Sequence, residues 1–197
     1  MIMKIKSVLT SIIMLLGICV SAQNKPQGLS VNDPAPEFSG IDQSGNSINL
    51  KKLLQKGSVV VLFYRGEWCP FCNKQLSQMQ DSLNYIISKG AIVVAVTPEK
   101  PENISKTIEK TKASYSVLFD DGLKIMKSYK VAYEVNSATI EKYKGYGIDF
   151  AVVNGNNGAN LPVPAVYVIS QNGKIIYRHF DPDYRKRPSV KEIASHL

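Results

Sequence analysis

The sequence predicts an α/β fold, with a central, mostly parallel sheet, helices on both faces and an antiparallel edge hairpin. From Ser58 to about Tyr129, apolar runs of strand length alternate with helical segments, and this alternation is typical of a parallel sheet between helix layers. The chain then closes with two apolar runs around Gln171-Asn172-Gly173. Because Asn-Gly between such runs is a strong hairpin signal, these runs are predicted to form the antiparallel edge.

Residues 1–22 are expected to be a secretory signal peptide. Lys4 and Lys6 precede the apolar stretch Val8 to Val20, which is short for a membrane span, and Val20-Ser21-Ala22 has small residues suited to cleavage. This pattern predicts a secreted, periplasmic protein without stable membrane insertion after cleavage. An uncleaved membrane anchor is the alternative.

The rest of the chain is expected to form one domain. Residues 23–33 are polar and predicted to be a flexible segment, so the domain would cover residues 34–197. Removing residues 1–22 takes away two lysines and no acids, which lowers the net charge from +8 to +6 (8 − 2). The basic residues are mostly scattered, and no aromatic interleaving marks a nucleic-acid surface, so no nucleic-acid partner is expected.

The first half of the domain is predicted element by element from turn signals and periodicity. Alternation around the turn Gln43-Ser44-Gly45-Asn46 predicts an N-terminal hairpin, and Lys51–Gln55 is interpreted as one helical turn. Ser58–Tyr64 is a buried strand, apolar on both faces. Pro70 suits the first turn of a helix that runs to about Ser88. This helix has a 4-3-4-3 apolar stripe, formed by Cys72, Leu76, Met79, Leu83 and Ile86.

The second half continues the alternation and then becomes harder to interpret. Buried strands are predicted at Ala91–Val96 and Ser116–Phe119, and capping signals place a final helix after Ser189. Within residues 132–162, only a helix near Ala138–Lys144 is predicted. The remaining predicted elements are a helix over 101–112, a helix from Leu123 to about Tyr129, and the hairpin strands Ala165–Ile169 and Lys174–Phe180.

Two cysteines, in Trp68-Cys69-Pro70-Phe71-Cys72, stand between the first long strand and its helix. A Cys-x-x-Cys at the start of a helix is typical of a dithiol that forms and breaks a disulfide. The third cysteine, Cys19, lies in the expected signal segment. A structural disulfide is disfavoured, because so short a loop constrains the unfolded chain little.

Several motifs together resemble the alkyl hydroperoxide reductase/thiol-specific antioxidant (AhpC/TSA) superfamily of the thioredoxin-like fold. They are the Cys-x-x-Cys turn, Asn32 to Phe38, Phe63-Tyr64-Arg65-Gly66, Val163-Pro164 before a strand, and Asp181 to Tyr184. The resemblance is to the peroxiredoxin-like branch with Cys-x-x-Cys, close to the TlpA/ResA-type thiol–disulfide oxidoreductases. It covers about Val31 to the C-terminus and is weakest over residues 132–160.

The resemblance implies roles for the site residues. Cys69 would be the nucleophile, with its pKa lowered by the helix N-terminus and by Arg65, and Cys72 would resolve the mixed disulfide. Substrate would contact Trp68, Pro70 and Phe71. Pro164 is expected to be a cis-proline facing the dithiol, with Val163 presenting backbone groups to substrate; a trans proline at a strand start is the alternative.

The sequence lacks several residues of the family pattern, and their absence bears on which of two activities is expected. Leu62 and Gly66 stand where typical peroxiredoxins have the proline and the threonine that precede the peroxidatic cysteine, and a second arginine is missing. We therefore expect thiol–disulfide reduction or exchange, with a thioredoxin-dependent hydroperoxide reductase, an antioxidant activity, as the alternative. No base for Cys72 is identifiable, because the nearest carboxylate, Glu67, reads as a solvated loop residue.

Partners and further alternatives follow from the same residues. The resemblance implies an external dithiol donor, thioredoxin-like or a membrane reductase, and a protein disulfide or hydroperoxide as substrate, with no cofactor. A zinc site is disfavoured, because His179 and His196 are the only histidines and there is no second Cys-x-x-Cys. A non-enzymatic binding module remains a lesser alternative. Tyr133, Tyr143 and Tyr146 are expected to pack under a long loop rather than line a substrate groove.

Overall fold

The computed structural model describes residues 25–197, so the predicted signal peptide and Cys19 lie outside the described residues. A five-stranded sheet forms the centre. Its strands are β3 (Ser58–Phe63), β4 (Ala91–Thr97), β5 (Ser116–Phe119), β8 (Ala165–Ile169) and β9 (Ile175–Phe180). They lie in the order β5-β4-β3-β8-β9. β3 runs parallel to β4, β4 parallel to β5, and β8 and β9 add the antiparallel edge.

Eight α-helices and two small antiparallel pairs complete the part of the chain that the structure describes. Strands β1 (Ser39–Ile41) and β2 (Ser47–Asn49) form the predicted N-terminal hairpin. The helices are α1 (Leu50–Leu54), α2 (Pro70–Asp81), α3 (Leu83–Ser88), α4 (Pro101–Thr111), α5 (Lys124–Ser128), α6 (Ser137–Gly145), α7 (Phe150–Asn154) and α8 (Val190–Ala194), with 3-10 turns at Asp121–Leu123 and Gly155–Asn157. None of these helices is long and apolar enough to cross a membrane.

Apolar residues on the two faces of the sheet pack into two separate cores, which confirms the predicted layering. Val59, Val61 and Phe63 of β3 face one core, whereas Val60 and Leu62 face the other, as the two-residue side-chain period of a strand requires. The second core includes Cys72, Leu76, Met79 and Ile86 of the predicted stripe. The dithiol is therefore anchored to the centre of the domain.

The long helix predicted from Pro70 to Ser88 is interrupted at Ser82, where the backbone leaves helical geometry with φ −107° and ψ 10°. The Ser82 N–H still donates to the Gln78 carbonyl at 3.2 Å, and the Ile86 N–H donates to the Ser82 carbonyl at 3.1 Å. The interruption is thus a kink, and the buried face continues across it.

Residues 132–162 contain a small antiparallel ribbon that the sequence did not predict. Strand β6 (Ala132–Glu134) pairs with β7 (Asn160–Pro162), and the Val135 N–H extends the pairing to the Ala159 carbonyl at 2.8 Å. Three-residue strands are too short to show periodicity, and β7 ends in a proline. The ribbon supports a third, smaller core around Val135, Phe150 and Leu161, against which Trp68 and Tyr143 pack.

The segment predicted to be flexible contacts the domain in its described part, residues 25–33. Leu29 is buried, and its N–H donates to the Tyr167 hydroxyl at 3.0 Å. The Gly28 N–H donates to the Lys130 carbonyl at 3.0 Å, and the Asn32 N–H donates to the Ile175 carbonyl at 2.8 Å. These contacts attach the segment to the edge of the sheet. Backbone N–H groups of the segment donate to acceptors of the domain that would otherwise lack this partner.

Candidate active site

The two cysteines lie at the start of α2, directly beyond the carboxyl end of β3. Cys69 is the last residue before the helix, with extended backbone (φ −92°, ψ 108°), and Pro70 is the first helical residue. The N–H groups of Cys72 and Asn73 both donate to the Cys69 carbonyl at 3.0 Å, which closes the first turn. Since Pro70 has no N–H to satisfy, it suits this position. The helix dipole places partial positive charge beside Cys69.

The sulfur atoms form a preassembled dithiol. The Cys72 thiol donates to Cys69 Sγ across 2.7 Å, and both cysteines are free. Cys69 is 1% exposed and Cys72 is fully buried. A disulfide requires about 2.05 Å between sulfur atoms, so oxidation needs only a small approach of Cys72 to Cys69.

The surroundings of the two thiols shift their pKa values in opposite directions. The hydrogen bond from the Cys72 thiol lowers the pKa of Cys69 to about 6, assisted by the Cys72 backbone N–H and the charges of Arg65 and Arg187, and opposed by burial. Burial raises the pKa of Cys72 well above its ordinary value, and the hydrogen bond to Cys69 raises it further. At neutral pH, Cys69 is therefore a thiolate and Cys72 a thiol, which is the protonation state that a nucleophilic Cys69 requires.

Arg65 lies beside Cys69 in an aromatic enclosure. Its guanidinium carbon is 4.3 Å from the centre of the Tyr184 ring and 4.8 Å from that of Trp68. One guanidinium N–H donates to the Tyr143 hydroxyl. The side chain is only 3% exposed. Aromatic faces stabilise a cation held out of water, so these rings keep the positive charge of Arg65 within reach of the Cys69 thiolate.

Arg187 supplies a second cation, which the sequence did not identify. Its Nη2 is 3.5 Å from Cys72 Sγ. The preceding loop is held by Asp183, whose carboxylate accepts hydrogen bonds from Arg185 Nε and Nη2, at 2.8 and 2.9 Å. Arg187 ends the basic run Arg185-Lys186-Arg187. Because 115 residues separate it from Cys72, no local pattern in the sequence connects the two.

Glu99 is the buried carboxyl group of the site. It follows β4, at the same edge of the sheet as the end of β3, and one oxygen accepts the Glu67 N–H at 2.7 Å. The other oxygen, Oε1, is buried without a hydrogen-bond partner among residues 25–197. Burial is the main cause that raises the pKa of Glu99 to about 8; the charges of Glu67 and a Cys72 thiolate contribute in the same direction, and the hydrogen bond from the Glu67 N–H opposes them. Because parallel strands end at one edge, the order of strands was the signal that could have located this residue.

Gly66 stands at the position where typical peroxiredoxins have a threonine, and neighbouring groups leave no room for a side chain there. A Cβ atom at this position would lie 2.5 Å from Glu99 Oε1 and 2.5 Å from Trp68 Nε1. Any side chain here would therefore collide with both groups. The carboxyl of Glu99 and the indole N–H of Trp68 occupy the space beside Gly66.

Most of the predicted site residues surround one cavity of about 560 Å³. Arg65, Trp68, Cys69, Pro70 and Phe71 all line it. Its other wall comes from α6 and the residues after it, and from Tyr184; the additional lining residues are Thr139, Lys142, Tyr143, Tyr146, Ile148 and Tyr184. The expectation that Tyr143 and Tyr146 only pack under a loop is wrong, because both line this cavity, Tyr143 from α6 and Tyr146 from the residue after it.

Val163 and Pro164 are not placed as predicted. No peptide bond within residues 25–197 is cis, so Pro164 is trans and the cis-proline prediction is wrong. The Val163 N–H donates to the Val131 carbonyl at 2.8 Å, which leaves it unavailable to a substrate. Val163 instead lines a separate cavity of about 640 Å³ with Tyr133 and Pro182. The cause is the unpredicted ribbon, whose pairing continues into this segment.

Replacing Arg65 with methionine is expected to raise the pKa of Cys69, because it removes one of the charges that stabilise the thiolate. If the pKa rises by about one unit, alkylation by iodoacetamide becomes roughly fivefold slower at pH 6 and is nearly unchanged above pH 9. The measurement is the pH profile of alkylation followed by mass spectrometry, with Arg178→Met as a matched control at an exposed arginine on β9. An unshifted profile would remove Arg65 from thiolate stabilisation.

A buried dithiol at a helix start, with one acidic thiol and an adjacent arginine, defines a thiol redox protein of the thioredoxin-like fold. The AhpC/TSA family model matches residues 31–178. The chain therefore belongs to the AhpC/TSA family, as the sequence motifs predicted.

Individual relatives agree with this assignment. Peroxiredoxin Bcp from Escherichia coli (strain K12) is 30% identical over 103 residues, which are 52% of this chain and 65% of Bcp. The match thus spans slightly less than two thirds of that relative. Peroxidoxin BcpB from Mycobacterium tuberculosis superposes with a TM-score of 0.65 at 19% identity, over 85% of this chain and 96% of BcpB.

A solved structure whose name refers to thiol–disulfide chemistry is also similar. The thioredoxin domain of thiol-disulfide oxidoreductase BVU-2223 from Bacteroides vulgatus gives a TM-score of 0.54 at 22% identity, over 80% of this chain and 93% of that domain. At these identities the two structural matches show the fold alone. The family assignment rests on the AhpC/TSA match.

Proposed function

We propose that the protein is a thiol–disulfide oxidoreductase that cycles Cys69 and Cys72 between dithiol and disulfide. The observation that carries this proposal is the 2.7 Å contact between the two sulfur atoms, with the thiolate on Cys69 and the proton on Cys72. Both sulfurs lie on the first turn of one helix, so disulfide formation requires no unfolding of the site. Export, the dithiol donor and the redox role of each cysteine form part of this proposal.

The reaction proceeds in two exchanges. The Cys69 thiolate attacks a substrate disulfide, whose S–S bond breaks and releases one thiolate. Cys72 then loses its proton to Glu99 and attacks Cys69 Sγ, which releases the second substrate thiolate and leaves the Cys69–Cys72 disulfide. Two electrons have passed to the substrate, and an external dithiol donor returns them.

Hydroperoxide reduction is the second candidate function. Cys69 is 1% exposed beneath an aromatic wall, a setting that admits small molecules more readily than folded proteins, and Bcp is named a peroxiredoxin. In this reaction the Cys69 thiolate attacks one peroxide oxygen and becomes a sulfenic acid, while the other oxygen leaves as water or an alcohol. Cys72 then displaces water from the sulfenic acid to form the same disulfide.

Stopped-flow oxidation of the reduced protein distinguishes the two functions. Trp68 is the only tryptophan and lies beside Cys69, so its fluorescence reports oxidation. Mixing with a small disulfide is expected to give a faster change than mixing with hydrogen peroxide at equal micromolar concentration. Faster reaction with peroxide would make the protein a hydroperoxide reductase. Arg65, Glu99 and Trp68 would then surround the peroxide where typical peroxiredoxins have the threonine.

A further inference from the structure

The side chains that line the cavity above Cys69 include two cations and no carboxylate. The cations are Arg65 and Lys142, and no aspartate or glutamate is among the lining residues within the described part of the chain. Lys142 is exposed on α6. Among the lining residues, both cations would therefore attract an anionic group that enters the cavity, and only the Cys69 thiolate with which it reacts would repel it.

Arg65 has unused capacity to bind an anion. Its Nε is buried without a hydrogen-bond partner, and none of the ion pairs found within residues 25–197 includes Arg65. The one side-chain hydrogen bond that Arg65 makes within residues 25–197 goes to the Tyr143 hydroxyl. A buried cation without an anion is unfavourable. The Cys69 thiolate offsets part of this cost, and a substrate anion would offset more.

The walls of the cavity suit a flat apolar body. Trp68 and Tyr143 pack edge to face, with ring centres 5.1 Å apart, and form its inner part. Phe71, Tyr146 and Tyr184 remain exposed around it, with Tyr146 68% exposed. Large exposed aromatic side chains around a reactive group favour stacking with an aromatic ligand.

The burial of Cys69 limits substrate size. The sulfur lies within a cavity of about 560 Å³ whose outer wall is α6, a volume in the ordinary range for small organic ligands. A disulfide on a folded protein surface would need α6 to move before it could reach a residue that is 1% exposed.

We propose that the preferred substrate is a low-molecular-weight disulfide that bears a carboxylate on an aromatic body. This inference rests on the proposed thiol–disulfide function and assigns its substrate class. The carboxylate binds between Arg65 and Lys142 while the ring stacks on the aromatic walls. The Cys69 thiolate attacks the nearer sulfur, and the aryl thiolate leaves with the electron pair of the broken S–S bond. Cys72, deprotonated by Glu99, then displaces the second aryl thiolate.

The test compares four disulfides by stopped flow: dithiobis(nitrobenzoate), dithiodipyridine, cystamine and insulin. They represent an anionic aromatic, a neutral aromatic, a cationic aliphatic and a protein disulfide. Each rate is divided by the rate of the same disulfide with 2-mercaptoethanol thiolate, which removes differences in intrinsic reactivity. The normalised rate is expected to be about tenfold higher for dithiobis(nitrobenzoate) than for dithiodipyridine, and lowest for cystamine and insulin.

The variant Lys142→Glu isolates the charge of the cavity. The ratio of the normalised rate for dithiobis(nitrobenzoate) to that for dithiodipyridine is expected to fall about tenfold. The reason is that residue 142 then repels the carboxylate of the substrate instead of attracting it. The matched control is Lys174→Glu, the same charge change at an exposed lysine in the edge hairpin, which should leave this ratio unchanged.

The outcomes separate the substrate class from the function. Equal normalised rates for anionic, neutral and cationic disulfides, or a fastest reaction with insulin, would overturn the substrate class and leave thiol–disulfide exchange intact. An equal fall of the ratio in both lysine variants would show a general charge effect and would also overturn it. Inertness toward every disulfide, with Cys69 still alkylated, would overturn the proposed function and this inference with it.

Discussion

Cys69→Ser is expected to abolish turnover with any disulfide, by about three orders of magnitude or more, because a serine hydroxyl is not ionised at neutral pH and is a poor nucleophile toward sulfur. Cys72→Ser is expected to stop at the next step. Its Cys69 still attacks, but the mixed disulfide with substrate accumulates, since no second thiol is present to displace it. The measurement is mass spectrometry of the protein after one equivalent of disulfide, under non-reducing conditions.

A third variant, Cys72→Ala, serves as the matched comparison. A serine hydroxyl at position 72 retains a donor toward Cys69 Sγ, whereas alanine removes the hydrogen bond that contributes most to lowering the pKa of Cys69. We therefore expect slower alkylation of Cys69 at pH 6 in Cys72→Ala than in Cys72→Ser. Equal trapping of substrate through Cys72 in Cys69→Ser would contradict the assignment of the nucleophile.

Glu99→Gln is expected to slow the resolving step and to stabilise the fold. Glutamine keeps an oxygen for the Glu67 N–H but does not accept a proton from Cys72. General base assistance contributes roughly 10²-fold or more, so resolution should slow by about that factor. In the wild type, the rate of resolution should rise as pH increases through about 8, where the Glu99 carboxyl ionises, and this rise should be absent from the variant.

The stability effect of Glu99→Gln has a definite sign. The folded-state pKa of Glu99 is raised from 4.5 to about 8, so between these values the folded state binds a proton that the unfolded state has lost. Wild-type stability therefore falls as pH rises through this window. At about 1.4 kcal/mol per unit the loss amounts to a few kcal/mol. Glu99→Gln removes this loss.

Urea unfolding at pH 5 and pH 8 measures the difference. The variant should gain several kcal/mol relative to wild type at pH 8 and little at pH 5, while its resolving step is slow at both values. Glu109→Gln is the control, because Glu109 is an exposed glutamate on α4. A Glu99→Gln variant that resolves the mixed disulfide at the wild-type rate would exclude Glu99 as the proton acceptor.

The sequence predicted the central sheet because its strands and helices are long enough to show periodicity. Ser58–Tyr64 and the stripe from Cys72 to Ile86 occupy the predicted places within one or two residues. The β6–β7 ribbon escaped prediction because its strands have three residues each and lie far apart in the chain. That ribbon also changed the surroundings of Val163 and Pro164.

The residues of the site that lie close together in the chain were predicted, and those that come from distant segments were not. Cys69, Cys72 and Arg65 belong to one local motif, so a pattern along the chain finds them. Glu99 lies at a neighbouring strand end, where the charge of Cys72 acts on it, and Arg187 reaches Cys72 from a loop near the C-terminus. Neither residue type is unusual where it stands, and only the folded structure brings both into the surroundings of Cys72.

Equilibration with glutathione redox buffers tests most directly whether Cys69 and Cys72 form a reversible redox couple. The protein is quenched with acid, alkylated and measured by mass spectrometry across a range of glutathione ratios. A single transition between dithiol and intramolecular Cys69–Cys72 disulfide, fitting two electrons, is the predicted result. Accumulation of a stable glutathione adduct on wild-type Cys69, without the intramolecular disulfide, would contradict it.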